Sequence, residues 1–154
     1  MKKTIPAILL CSILLIGTSG CGMKATIKEN AELNETEGVS MTIKKGTLTK
    51  TSATVIIHDI NGKGTYIYGE AFRIDQKVNG VWKEVEKTKG NYAFNAMAYY
   101  VDNKGKLELK QNWSHIYGKL KKGEYRLVKD TFLTSDIPVT DNDKLYFSVE
   151  FIIG

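Results

Sequence analysis

The sequence predicts an all-β fold, an antiparallel Greek-key sandwich, preceded by a segment for export. Three observations carry this. Between Lys144 and Ile153, Leu145, Phe147, Val149, Phe151 and Ile153 alternate with Tyr146, Ser148, Glu150 and Ile152, the period of a strand with one buried face. Turn dipeptides such as Asn61-Gly62 and Asn79-Gly80 recur between short runs rich in β-branched and aromatic residues. No segment holds a convincing 3.6-residue apolar period for more than about ten residues.

The first element is not part of the fold. Met1-Lys2-Lys3 is a short positive start, Ile5 to Ile16 is apolar apart from Pro6 and Ser12, and Gly17-Thr18-Ser19-Gly20 are small residues before Cys21. Basic, apolar, small is the order of a secretory signal. A run of about a dozen apolar residues is shorter than the ~20 that a spanning helix needs. Thr18-Ser19-Gly20-Cys21 resembles the bacterial lipobox, with Gly20 and Ser19 in pattern and Thr18 in place of the usual leucine. That resemblance implies cleavage before Cys21, a diacylglyceryl thioether on its sulfur, and lipid anchoring. Two acyl chains hold a protein stably at a bilayer where one does not. Residues 1–20 are then a lipoprotein signal peptide, and Cys11 leaves with it.

Residues 21–38 follow as the lipidated cysteine and a flexible tether. The stretch Gly22 to Gly38 is polar, rich in Glu and Asn and free of aromatics, with too little apolar surface to offset the entropy of ordering. The domain proper is expected over 39–154. Thr54 to Ile60 is dense in β-branched residues, with Val55 and Ile57 on one face. Phe72 and Ile74 alternate with Arg73 and Asp75, and Asn79-Gly80 then supplies the two positive φ angles of a type I′ hairpin turn into Val81-Trp82. Asp102-Asn103-Lys104-Gly105 marks another tight connection. Glu124 to Leu133 and Lys144 to Ile153 complete the set of strands. Trp82 is expected in the core.

Leu120, Gly123 and Tyr125 stand at the start of the Glu124 strand. Their spacing is that of a tyrosine corner, in which a Tyr hydroxyl bonds a backbone group just upstream and Gly123 permits the bend. Two stretches then carry a wider likeness. One is Tyr68-Gly69-Glu70-Ala71-Phe72-Arg73-Ile74 with Asn79-Gly80-Val81-Trp82. The other is Tyr117-Gly118-Lys119-Leu120-Lys121-Lys122-Gly123-Glu124-Tyr125-Arg126-Leu127-Val128-Lys129. Together they resemble the bacterial immunoglobulin-like domain of small exported Gram-positive proteins, with Lys122 where that family usually has proline. The resemblance implies an immunoglobulin-like sandwich. It implies no substrate, since such motifs specify a fold rather than an activity.

Composition and motifs exclude more than they assign. Of 22 basic residues, Lys2 and Lys3 leave with the signal, so 20 face 17 acids, a net charge of about +3. Lysines are scattered among acids, as in Lys83-Glu84-Val85-Glu86-Lys87, so no nucleic-acid partner is expected. The mature domain has no cysteine besides Cys21, and His58 and His115 do not make a zinc spacing, so no metal or cofactor is expected. Asp136, Asp141, Asn142 and Asp143 lack the order of an EF-hand loop and read as a solvated turn. Gly-x-Ser-x-Gly is absent, and no catalytic residue is assigned.

Aromatic residues are the remaining signal. Tyr and Trp give large contact areas with a polar handle, and Tyr99, Tyr100 and Trp113 form the candidate binding surface. Adjacent strand residues point to opposite faces, so one of the two tyrosines should face solvent. The function expected is a membrane-anchored extracytoplasmic binding module for a protein or envelope polymer. The alternative is an inhibitor or immunity-type lipoprotein that binds an enzyme or toxin, with a hydrolytic enzyme third. Partner identity and oligomeric state are not written in the sequence.

Overall fold

The computed structural model describes residue 33 and residues 36–154 apart from 89–91, 137 and 139. Cys21, the signal segment and most of the tether lie outside the described residues. Eight strands follow one another: β1 Val39–Ile43, β2 Ser52–Asp59, β3 Tyr66–Tyr68, β4 Arg73–Val78, β5 Val81–Glu84, β6 Lys106–Asn112, β7 Gly123–Leu133 and β8 Leu145–Ile153. They form two antiparallel sheets. The first has the order β1-β2-β6. In the second, β7 carries β3 and β4 along one edge and β8 along the other, with β5 outside β4.

Alternation builds the interior. β2 buries every second residue, Ala53, Val55, Ile57 and Asp59. β7 sends Tyr125, Leu127, Lys129 and Thr131 inward, and β8 adds Phe147, Phe151 and Ile153. Fully burying one Val, Leu or Phe side chain contributes about 1.5–3 kcal/mol, so these facing rows hold the sheets together. Trp113, Phe151 and Tyr125 stack in sequence, with centroids 5.7 Å apart at each step.

Two turns need their glycines. Asn79 (φ 53°) and Gly80 (φ 82°) make the hairpin between β4 and β5 with Val78 opposite Val81, the geometry expected of Asn-Gly. Gly105 (φ 69°) ends the turn before β6, where Asp102 Oδ1 accepts from the amides of Lys104 and Lys106. A Cβ on Gly105 would overlap the Asp59 carbonyl.

β3 and β4 are one edge of β7 interrupted by a bulge. Tyr68 pairs with Thr131 and Arg73 with Val128, so four residues (69–72) face two (129–130). Carbonyls released from the ladder there turn inward. Lys129 Nζ meets them, donating to Gly69 O at 2.9 Å, Ala71 O at 2.9 Å and more loosely to Glu70 O at 3.5 Å.

Thr36, Glu37 and Gly38, given to the tether by composition, are hydrogen-bonded to the domain. Val39 N donates to Thr36 O, Asn61 Nδ2 to Glu37 O, and Ile60 N to Gly38 O.

Candidate functional site

The outward face of the β5-β4-β7-β8 sheet carries a connected set of charged side chains around a buried carboxylate. Register decides which side chains meet. Asp75 stands opposite Arg126 on β7 and Glu84 on β5, and Arg126 stands opposite Glu150 on β8. Asp75 is 2% exposed yet charged, and two guanidiniums answer it. Arg73 Nε reaches Oδ1 at 2.7 Å and Arg126 Nε reaches Oδ2 at 2.7 Å, with Arg73 also donating to Oδ2 at 3.2 Å. Charge-assisted contacts of this kind are short and about twice as strong as neutral ones.

Trp82 sits on this face and not in the core. Its pairing with Lys77 puts it in phase with Asp75 and Lys77, the residues of β4 that point away from the other sheet, so the indole is half-buried against the outside. Arg126 lies 4.8 Å and Lys77 5.4 Å from the ring centroid, both close enough for cation–π attraction. Lys77 also pairs with Glu124 at 3.3 Å. The indole is thereby fixed in orientation while part of it stays in solvent. Sequence reasoning placed Trp82 in the core because an isolated Trp in a strand is most often buried. The alternation Asp75, Lys77 carried across the hairpin was the signal for the other side.

Beside Trp82 lies a shallow groove of about 470 Å³. Ile43, Leu48, Phe151 and Ile152 give it apolar walls, and Glu124 and Glu150 supply its charge. It follows the line where β1 and β8 face each other, since β1 pairs only with β2 and β8 only with β7 among the described strands.

The residues singled out from sequence fall in different places. Trp113 is a correction: it is fully buried, because it continues the inward phase of Gln111 beyond β6 and its indole Nε1 donates to the Lys50 carbonyl at 2.9 Å. The polar handle that suggested a surface role is spent inside the domain. Tyr99 exchanges both backbone hydrogen bonds with Tyr68 (2.9 and 3.0 Å) and packs half-buried against the core, while Tyr100 is 42% exposed. The three do not make one surface. Exposed Tyr92 and Met97 precede Tyr100 in the chain, and Phe94 packs edge-on against Phe72 at 5.3 Å.

Tyr125 Oη donates to the Lys121 carbonyl at 3.0 Å and Leu120 is buried beside it. Gly123 acts through space and not through an unusual backbone angle. A Cβ there would come within 3.0 Å of Gln76 Nε2 and 3.4 Å of the Tyr125 ring. The acids before β8 are used locally: Asp143 accepts from the Thr140 amide and hydroxyl, which holds its carboxyl below the usual range, and Asp141 pairs with Lys144 at 2.9 Å. Among the described residues no cluster of three or more His, Cys, Asp or Glu could hold a metal ion.

Two buried charged groups, Asp59 and Lys129, were not singled out as a site. Asp59 Oδ2 accepts from Tyr68 Oη at 2.8 Å, and Oδ1 from the backbone and side-chain nitrogens of Asn61. Burial and the neighbouring carboxylate push the Tyr68 hydroxyl well above the usual phenol range. Neither Asp59 nor Lys129 opens onto the groove lining.

A family model described as "Bacterial Ig-like domain" matches residues 35–146. No curated protein and no solved structure matches the chain.

Proposed function

Because the chain belongs to the bacterial Ig-like domain family, we propose that it is an interaction module of the cell envelope, held by lipid on Cys21 at the outer face of the cytoplasmic membrane. Trp82 supports the binding half of this reading. An indole that stays half-exposed while Arg126 and Lys77 fix its plane offers contact area at little cost in side-chain entropy. The order of Lys2-Lys3, the Ile5 to Ile16 run and Ser19-Gly20-Cys21 supports the anchoring half.

Each half has its own test. The full chain expressed in a Gram-positive host and fed an alkyne fatty acid should incorporate the label and sediment with membranes, and Cys21→Ala should do neither. A Cys21→Ala chain that remained labelled and membrane-bound would end the lipoprotein reading. For binding, photo-crosslinking of the full chain in intact envelopes should give a discrete adduct that Trp82→Ala weakens several-fold, while Tyr100→Ala leaves it unchanged. An adduct indifferent to Trp82 would move the binding surface elsewhere.

A further inference from the structure

The groove beside Trp82 has a feature that side chains alone do not explain, a strand edge running along it. β8 is nine residues long and pairs residue for residue with β7, from Gly123 opposite Ile153 to Thr131 opposite Leu145, without a bulge. Its other edge pairs with no strand among the described residues, and β1, whose Cα atoms come within 8 Å of it, makes no backbone hydrogen bond to it. Natural edges of this length are commonly blunted by lysine, proline or a bulge. From Val149 to Ile153 there is no lysine, proline or bulge, Glu150 is the one charged residue, and Ile152 is 70% exposed. By contrast β6, an edge of the first sheet, presents Lys106, Glu108 and Lys110.

The charge of the groove adds a second constraint. Its charged lining is acidic, Glu124 and Glu150. Lys77 answers Glu124, and Glu150 has no ion-pair partner among the described residues. A second copy of β8 laid along this edge would bring its own Glu150 into the same groove, like charge against like, which disfavours self-pairing.

We propose that the Val149–Ile153 half of β8 takes up an extended segment of a partner protein as an added strand. That segment carries apolar residues alternating with lysine or arginine. Its backbone bonds the free edge, its apolar side chains lie on the inward side against Ile43, Leu48 and Phe151, and its cations lie on the outward side that Ile152 shares, where they meet Glu150 and the outer side of Glu124. Main-chain bonds give such a complex its affinity and the alternate pockets its selectivity. This deepens the interaction-module reading and rests on it.

The test uses the full chain in detergent micelles and a blocked peptide of four Lys-Val repeats. In NMR, the peptide should shift and slow the exchange of amides at alternate positions between Val149 and Ile153. Ile152→Lys, a change at an exposed position, should weaken the peptide tenfold or more, and Glu150→Lys several-fold. A Glu-Val repeat of the same length should not bind. A Lys-Val peptide N-methylated on every second amide should lose binding. Equal binding of the methylated peptide, shifts confined to another face, or no binding would each overturn the proposal. So would concentration-dependent dimerisation that Ile152→Lys abolishes, since the edge would then belong to a second copy. If the peptide fails while the envelope crosslink of the full chain persists, the strand-addition inference falls and the module reading stands. If the crosslink fails as well, both fall.

Discussion

Asp59 and Lys129 both occupy inward positions of their strands, where alternation expects an apolar side chain, and both are nearly sealed from solvent at 2% and 1% exposure. They are accommodated differently. Asp59 ends β2 and collects two donors from Asn61 in the turn that follows it and one from Tyr68 on β3. Lys129 sits mid-strand and reaches across to carbonyls that the bulge at 69–72 has released. A buried charge is costly unless its hydrogen-bonding capacity is filled. In both places neutral partners fill it, so the carboxylate organises the turn after β2 and the ammonium organises the break between β3 and β4. Asp75, on the outward face, is also buried and follows the other rule, pairing with two arginines. Inside the sandwich the charges serve backbone geometry, and outside they serve side-chain geometry around Trp82.

The sharpest way to break the comparison is at Lys129. Lys129→Met keeps most of the buried stem but leaves the carbonyls of Gly69 and Ala71 without a donor. An unsatisfied buried group costs about 1–3 kcal/mol, so the variant should lose roughly 3 kcal/mol in chemical denaturation. A loss under about 0.5 kcal/mol would show that the bulge holds its shape unaided. The amine also carries a pH signature. Burial pushes it down from 10.5 to about 8 in the folded protein. Between those values the unfolded chain binds more protons, so this group's contribution to stability rises with pH from about 8 to 10.5. The stability difference between wild type and Lys129→Met should therefore widen in favour of wild type across that window. The tyrosines that burial pushes up, Tyr66, Tyr68, Tyr117 and Tyr125, are common to both chains and drop out of the difference. A flat difference would mean that the carbonyls, which accept best from the charged amine, fully offset its burial.

How far these features were legible follows from what periodicity can carry. Strands β2, β7 and β8 and the Asn79-Gly80 hairpin could be read directly, because alternation within one short segment, or a single dipeptide, holds the signal. β3 is only three residues long, and the bulge that separates it from β4 depends on pairing with Thr131 and Val128 far along the chain. Lys129 did leave a trace, in phase with Tyr125 and Leu127. Phase marks a position as inward without saying what a charge there would meet. The same limit explains Trp113 and Trp82. Each was judged as a residue type, and the outcome was set by the strand face it occupied. Of the candidate site, the groove was not legible at all, since it is made by Ile43 and Leu48 coming alongside Phe151 and Ile152.

A smaller effect tests the other half of the comparison. Tyr68→Phe removes one of three donors to Asp59 without changing the packing of the ring, which lies edge-on to Phe147 at 5.9 Å. Hydrogen bonds to a charged group are worth about 1.5–3 kcal/mol, so a loss of about 2 kcal/mol is expected at pH 7. If Asn61 alone suffices to hold the carboxylate, the loss will be a few tenths and the symmetry between Asp59 and Lys129 will be superficial.

The smallest effect belongs to Tyr125, where a neutral hydroxyl does for the β7 entry what the two charges do elsewhere. Its bond to the Lys121 carbonyl closes a loop of four residues, and the ring is held independently by stacking on Phe151. Tyr125→Phe keeps that stack, and the freed Lys121 carbonyl needs only a water in place of the hydroxyl. The expected loss is therefore about 1 kcal/mol, the net value of one ordinary hydrogen bond. The double variant with Lys129→Met separates two ways of building the strand. If the corner and the bulge pin opposite stretches of β7 independently, their losses should add to within about 0.5 kcal/mol. A combined loss well below the sum would mean that freeing either pin already loosens the other, and that β7 is positioned as one unit.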